Sequence, residues 1–200
     1  MKCLNLWPIL CGLEVAPFDR EYLDRLRAAM LNTHDRHSTG PQIWDRKAHN
    51  IFADPTDDLL ALKSYALDAV SRMVGHSVLI NAVEGRELVR RYGQEILPHT
   101  DRDEGDITAQ FFLDGEDPSG MTPDVLWGAS NQFGPNVFSL CDPALHGSEK
   151  RLPWEGNYNV WLAPFRGLFI LYPSRLPHYQ RPYEGDGQFV QVLINMKVIS

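Results

Sequence analysis

The stretch Pro98-His99-Thr100-Asp101 puts an imidazole and a carboxylate two residues apart. A second histidine, His178, follows 79 positions later in Pro173-Ser174-Arg175-Leu176-Pro177-His178. Two neutral imidazoles and one carboxylate are the donor set that holds a labile ferrous ion on one face and leaves the opposite face open for substrate and oxygen. Thiolates would instead close the site around a structural metal. Alternate residues of an extended backbone point the same way, so His99 and Asp101 can reach one ion from the end of a strand. A second reading stays open on these residues alone. His99 and Asp101 could form a hydrogen-bonded turn, with His178 a satisfied surface histidine, because a tripeptide as short as H-x-D is a weak signal.

The elements that must position these groups fall into two halves. PFDREYLDRLRAAMLNTH spaces Phe18, Tyr22, Leu23, Leu26, Ala29 and Met30 as one face of a helix. ADPTDDLLALKSYALDAVSRMVGH reads as a second helix, with Asp54 as the expected cap, Pro55 in the first turn, Asp57 and Asp58 at the positive end of the dipole, and Gly75 as the stop. Residues 33–53 between them read as loop with a short strand. From about residue 77 the pattern changes. SVLINAVEG, RELVRRYGQ, DITAQFFLDG, NVFSLCD, YNVWLAP, GLFILYPS and QFVQVLINMKV are short, rich in β-branched and aromatic residues, and punctuated by Gly, Pro and Asp. Strands at that spacing predict an antiparallel sandwich or barrel. Both histidines of interest then sit at strand ends, in the β half. The long stretch from Asp114 to Val137 carries Gly115, Pro118, Gly120, Pro123 and Gly128 and is expected to cover or line a site. The expected organisation is one domain over 1–200, a mostly helical front over 1–76 and a β core over 77–200.

Composition excludes several classes. The chain has 200 residues, 44% hydrophobic and 22% charged, enough for a sizeable core. A net charge of −7 argues against general affinity for nucleic acid or for an anionic membrane. Cys3, Cys11 and Cys141 are odd in number and match no zinc spacing, so a reducing, cytoplasmic setting is expected. The opening MKCLNLWPILCGLEVA is apolar, but Asn5 and Pro8 interrupt it and no A-x-A site follows, so a signal peptide is not expected. No apolar run is long enough to span a bilayer.

Several stretches together resemble the 2-oxoglutarate- and iron(II)-dependent oxygenases. RRYGQEILPHTD is similar to the prolyl-hydroxylase-like pattern in which a tyrosine strand and a glycine turn precede H-x-D. GLFILYPSRLPHYQRPYEGD resembles the family's apolar strand and proline-bounded turn around the distal histidine, and VLIN its closing strand. NLWPILCGLEV and FSLCDPALHG resemble the opening and a middle strand of a small bacterial and phage subgroup. The resemblance implies a mainly β fold with flanking helices around a double-stranded β-helix (jelly roll, cupin-like) core. It implies His99, Asp101 and His178 as metal ligands and catalytic centre, with iron(II), 2-oxoglutarate and O2 as cofactors. It also implies a dioxygenase acting on a small-molecule or amino-acid-type substrate. Because family halogenases lack the carboxylate, Asp101 points to hydroxylation or another oxygenase outcome. Tyr92 stands where the family often has a tyrosine that helps to hold the co-substrate.

The pattern departs from the family at one place. An arginine usually opens the last strand, where a planar, permanently charged guanidinium suits the far carboxylate of 2-oxoglutarate. Here Gln188 and Phe189 occupy those positions, with Val190 or Gln191 following, and no Arg or Lys lies between Arg181 and Lys197. Gln188, Gln191 and Arg181 are therefore the nearby candidates for co-substrate binding, with Arg91 and Arg166 on predicted strands. An oxygenase of the same fold that does not use 2-oxoglutarate, and a non-catalytic cupin-like binding module, are the alternative readings.

Other polar and aromatic residues have simpler roles beside the chemical ones. His34 and His37, with Asp35, and His146 with Glu149 could bind metal, but fit helix-end and loop polarity. Trp127, Phe133 and Phe138 could grip a substrate or pack over the barrel mouth. Trp7, Trp154 and Trp161 are expected in the core. Cys141 has no evident base beside it.

Overall fold

In the computed structural model, residues 1–6, 9–37, 49–116, 137–141 and 159–199 are described. Two antiparallel sheets face one another. The larger has six strands in the order β1 (Lys2–Leu6), β2 (Ile9–Val15), β8 (Leu168–Pro173), β5 (Ile107–Phe112), β10 (Gln188–Val198) and β3 (Ile80–Arg91). The smaller has β4 (Ile96–His99), β9 (His178–Gln180), β6 (Phe138–Cys141) and β7 (Asn159–Leu162). This is the jelly-roll, double-stranded β-helix arrangement expected from the sequence.

Period-2 alternation assigns the two faces of the large sheet. Ala109, Phe111, Phe169, Leu171, Val190, Val192 and Ile194 pack with the helices α1 (Arg20–His37) and α2 (Asp57–Val74) in one core. The intervening Phe112, Ile170, Tyr172 and Phe189 pack with Phe138, Leu140 and Leu162 of the small sheet in a second core. Each buried Val, Leu, Ile or Phe among them contributes about 1.5–3 kcal/mol. The inner face is not wholly apolar. Arg90, Thr108, Gln110, Gln180 and Gln191 are all buried.

The helices form where the apolar spacing places them. α1 buries Tyr22, Leu23, Leu26, Met30 and His34. The Tyr22 hydroxyl donates to the Asp58 carbonyl at 2.7 Å and ties α1 to the start of α2. α2 ends at Gly75, whose φ of 77° is the left-handed turn that glycine accepts without strain.

Four expectations are corrected. The front of the chain is not only helical, because β1 and β2 pair antiparallel and extend the large sheet through β8. Thr56, not Asp54, caps α2, its hydroxyl accepting from the Leu59 amide at 3.4 Å. α1 continues through His37, so the connection begins later than residue 33. SVLINAVEG and RELVRRYGQ are one strand, β3, which runs through Gly85 without a turn. Gly85 is there for packing: a Cβ would stand 2.5 Å from the Phe52 ring. Trp7, Trp127, Phe133, His146, Glu149 and Trp154, and nearly all of the Asp114–Val137 stretch, lie outside the described residues.

Candidate metal centre

His99 ends β4 and faces His178, which opens β9, as a direct cross-strand pair. A register shift between Ile96 and His99 re-aims the end of β4. The chain then turns at Asp101. Its amide donates to the Ser174 carbonyl at 2.9 Å, and its own carbonyl accepts from Glu104 at 2.8 Å. The turn thus hangs on the segment that leads into His178, and all three groups meet inside the barrel.

Each histidine has one nitrogen committed to the backbone. His99 Nδ1 lies 2.8 Å from the Leu97 carbonyl and His178 Nδ1 lies 3.0 Å from the Leu176 carbonyl. A carbonyl can only accept, so both Nδ1 atoms carry hydrogen, and Nε2 is the nitrogen left for a metal. His99 Nε2 is 3.4 Å from Asp101 Oδ1, and His178 Nε2 is 3.5 Å from Asp101 Oδ2. One ligand atom from each residue falls within 4.8 Å of the others. Cis ligands around an ion with bonds of about 2.1 Å stand roughly 3 Å apart, so a small expansion or contraction suffices. Asp101 and His178 are 2% and 1% exposed, and Asp101 Oδ2 and His178 Nε2 have no hydrogen-bond partner among the described residues. Buried orphan acceptors of this kind are costly unless a cation satisfies them. The donor set therefore fits a divalent metal.

Electrostatics agree. Burial pushes His178 down to about 4, which keeps it neutral and able to ligate. Burial pulls His99 the same way, but the Asp101 carboxylate and the Leu97 carbonyl outweigh it and hold this group above its ordinary range. Burial would raise Asp101, yet the hydrogen bond from His99 and the nearby positive charge, Arg86 included, keep it lowered and ionised. A metal at Nε2 would compete with a proton there.

Tyr172 and Phe138 wall the site, their ring centroids 5.0 and 5.8 Å from that of His178. Gln110 donates to the Tyr172 hydroxyl at 3.0 Å. Beside the turn after Asp101, a cavity of 270 Å³ is lined by Asn50, Glu84, Arg86, Glu104, Leu193 and Asn195. Arg86 sits close enough to lower Asp101 by its charge while pairing with Glu104 at 3.0 Å.

The other sequence candidates are dispersed. Tyr92 lies in the turn after β3 and is 74% exposed, so it is not brought inside. Gln188 shares the helix-facing side of β10 with Val190, and its carbonyl accepts from Arg27 at 3.1 Å. Arg181 stacks over Trp161 at 5.5 Å, on the outer side of the small sheet, and Trp161 is only half-buried there. Arg91 is exposed, and Arg166 pairs with Asp24 at 2.6 Å. Gln191 alone of the co-substrate candidates points inward, donating to Gln180 at 3.0 Å. His37 stacks on His49, at 4.1 Å, rather than on His34. Burial raises the Cys141 thiol to about 11, which suits no nucleophile. The inward arginine that the sequence did not single out is Arg90, fully buried on β3.

Comparison with solved structures places this architecture. A Pseudomonas putida prolyl-4-hydroxylase superposes with a TM-score of 0.61 at 13% identity, over 95% of this chain and 93% of that one. HygX from Streptomyces hygroscopicus, solved with nickel and 2-oxoglutarate, gives 0.58 at 14% identity over 92% and 80%. The epimerase SnoN, in complex with Fe3+, alpha-ketoglutarate and nogalamycin RO, gives 0.60 at 12% identity over 92% and 77%. At these identities the likeness is one of fold. No family model matches the chain, and no curated protein matches it. No described helix is long and apolar enough to cross a membrane.

Proposed function

We propose that residues 1–200 form a single mononuclear non-haem iron(II) oxygenase domain that consumes 2-oxoglutarate and O2 and oxidises a small-molecule or amino-acid-type substrate. The observation that carries this reading is the convergence of two Nε2 atoms and one carboxylate, with buried orphan acceptors on both His178 and Asp101. The structures of the same fold that hold nickel or iron together with the 2-oxo acid support it.

His99, Asp101 and His178 would hold the metal, which supplies activation of O2 coupled to oxidative decarboxylation of the 2-oxo acid. The chain's own part is physical. The Leu97 and Leu176 carbonyls fix both imidazoles in the tautomer that presents Nε2. Asp101 offsets one unit of the ion's charge. Tyr172, Phe138 and Phe112 keep the interior apolar on one side and limit water there. The cavity beside Arg86 and Glu104 offers a polar mouth of both charge signs, suited to a small polar substrate. The unpaired Cys3, Cys11 and Cys141 support a reducing, cytoplasmic setting, and the −7 net charge supports a partner other than nucleic acid.

The test needs no knowledge of the substrate. Protein supplied with iron(II), 2-oxoglutarate and air should form succinate slowly while consuming O2, and Asp101→Ala should form none above free iron. Wild-type protein that forms no succinate would overturn the reading. Oxygen uptake without succinate would point instead to an oxygenase that takes its electrons from the substrate.

A further inference from the structure

Five residues around the turn at Asp101 close a ring of hydrogen bonds. The Asp101 amide donates to the Ser174 carbonyl at 2.9 Å, and the Ser174 hydroxyl lies 2.8 Å from that of Thr108. Thr108 Oγ1 donates to Asn195 Oδ1 at 3.1 Å, and Asn195 Nδ2 donates to Glu104 Oε2 at 2.6 Å. The Glu104 amide then returns to the Asp101 carbonyl at 2.8 Å. The direction of the side-chain bonds is fixed. A carboxylate only accepts, so Asn195 turns its NH2 group to Glu104 and its oxygen to Thr108. Thr108 gives its single hydroxyl hydrogen to that oxygen, so Ser174 is the donor to Thr108.

The members come from separate parts of the fold. Thr108 is on β5 and pairs directly with Asn195 on β10. Ser174 follows β8 and stands four residues before His178. The ring therefore joins the carboxylate of the metal centre to the segment that carries one of its histidines, with two strands of the large sheet as anchor. Backbone contacts close the same gap. The Asp106 amide donates to the Met196 carbonyl at 2.9 Å, and the Ser174 amide to the Asp106 carbonyl at 3.0 Å. At Gly105 a Cβ would stand 3.0 Å from the Met196 backbone, so a glycine lets the turn lie this close to β10.

Thr108 and Ser174 are 0% exposed and Asn195 is 6% exposed. Apolar side chains fill the same inner face elsewhere, as Ile170 and Leu193 do, so packing does not require polarity here. A buried polar network adds little stability over an apolar filling. What a fully satisfied one adds is a single rigid arrangement. Metal ligands depend on such support, and groups that orient them change affinity by about 10–100-fold. We propose that Thr108 and Asn195 are positioning residues for the metal centre. Through this ring they hold the Asp101 carboxylate and the turn into His178 at the separation that one divalent ion requires. The inference rests on the metal centre of the reading above.

The experiment is calorimetric titration of the apo-protein with manganese(II), with the electron paramagnetic resonance spectrum of the bound ion. Thr108→Val keeps the shape and removes the hydroxyl, and should weaken manganese binding by about tenfold or more. Thr108→Ser restores the hydroxyl and should return the affinity to within about threefold of wild type. The spectrum should change in Thr108→Val and match wild type in Thr108→Ser. Phe111→Leu, in the core on the helix side, should lower the melting midpoint and alter neither readout. Should Thr108→Val fail to fold, Glu104 at the exposed corner of the ring decides. Glu104→Ala and Glu104→Gln lose the same charge, but only glutamine still accepts from Asn195. The alanine variant should bind manganese at least about threefold more weakly than the glutamine one. A folded Thr108→Val with wild-type affinity and spectrum, or equal affinities in the two Glu104 variants, overturns the inference and leaves the metal centre standing. Wild type that binds no manganese(II) overturns both.

Discussion

Replacing Asp101 by asparagine changes one oxygen to an amide and leaves the shape of the site intact. The turn that holds residue 101 is made by its backbone, which bonds to Ser174 and Glu104, so the side chain stays where it was. The effect on the apo-protein should be small. Asp101 stays ionised despite its burial because the His99 hydrogen bond and nearby positive charge, Arg86 included, offset its desolvation. With the carboxylate gone, His99 can release its proton, so no uncompensated charge is left and the net change should stay within about 1 kcal/mol. The effect on the metal-bound protein should be large, because a neutral amide is a poor ligand for a hard divalent ion. A metal at 100 times its dissociation constant adds about 2.7 kcal/mol to wild type. For a chain of this size that raises the melting temperature by about 5–11 °C. Anaerobic scanning calorimetry with and without iron(II), or with manganese(II), measures it. Wild type should shift by that amount and Asp101→Asn by less than about 2 °C, from nearly the same apo midpoint. An equal shift in both proteins would refute the claim that these three residues hold the ion.

Three further outcomes concern the scaffold. Glu14 accepts from Arg72 at 2.6 Å and from the Tyr65 hydroxyl; burial works against its charge, but these donors keep its carboxyl below the usual range. Its stabilisation is present above the ordinary value of 4.5 and is lost as pH falls through the lowered one. Unfolding free energies of wild type and Glu14→Gln from urea titrations should therefore differ by about 1 kcal/mol at neutral pH and converge in acid. Thr56→Ala should cost about 1 kcal/mol as the loss of a helix cap, and Asp54→Ala should cost almost nothing, both read by thermal melts. Phe111, fully buried between Phe18 and Phe169, should cost about 3–5 kcal/mol on replacement by alanine in urea unfolding, without changing metal affinity per folded molecule.

Local signals made the helices and most strands legible. Apolar spacing carried α1 and α2, and Gly75 marked a stop that only a left-handed residue provides. Strand-length apolar runs carried β5, β8 and β10. That His99, Asp101 and His178 could come together was legible in type and order, because H-x-D and a histidine after a buried strand survive without knowledge of register. The rest needed tertiary information. Gly85 looks like a turn in sequence, yet it is a glycine made small by Phe52, which is distant along the chain. β2 holds its place through pairing with β8, some 150 residues away, and β1 holds its place through β2. Tyr92 follows the strand that holds Arg90, but Gly93 at φ 77° turns the chain outward there. Arg90 and Arg91 are adjacent, and alternation alone does not say which of them faces inward. Glu87 and Arg91 share one face while Arg86 and Arg90 share the other, so both faces carry charge. Only the register with Phe189 separates them.

The central claim is that His99, Asp101 and His178 hold an iron that a 2-oxo acid chelates. Its most direct test is an anaerobic titration of apo-protein with iron(II) and then 2-oxoglutarate, followed by visible absorption. The account predicts a saturable charge-transfer band at one iron per chain, absent in His99→Ala and in His178→Ala. Failure of the wild-type protein to bind iron, or a band that survives both substitutions, would contradict it.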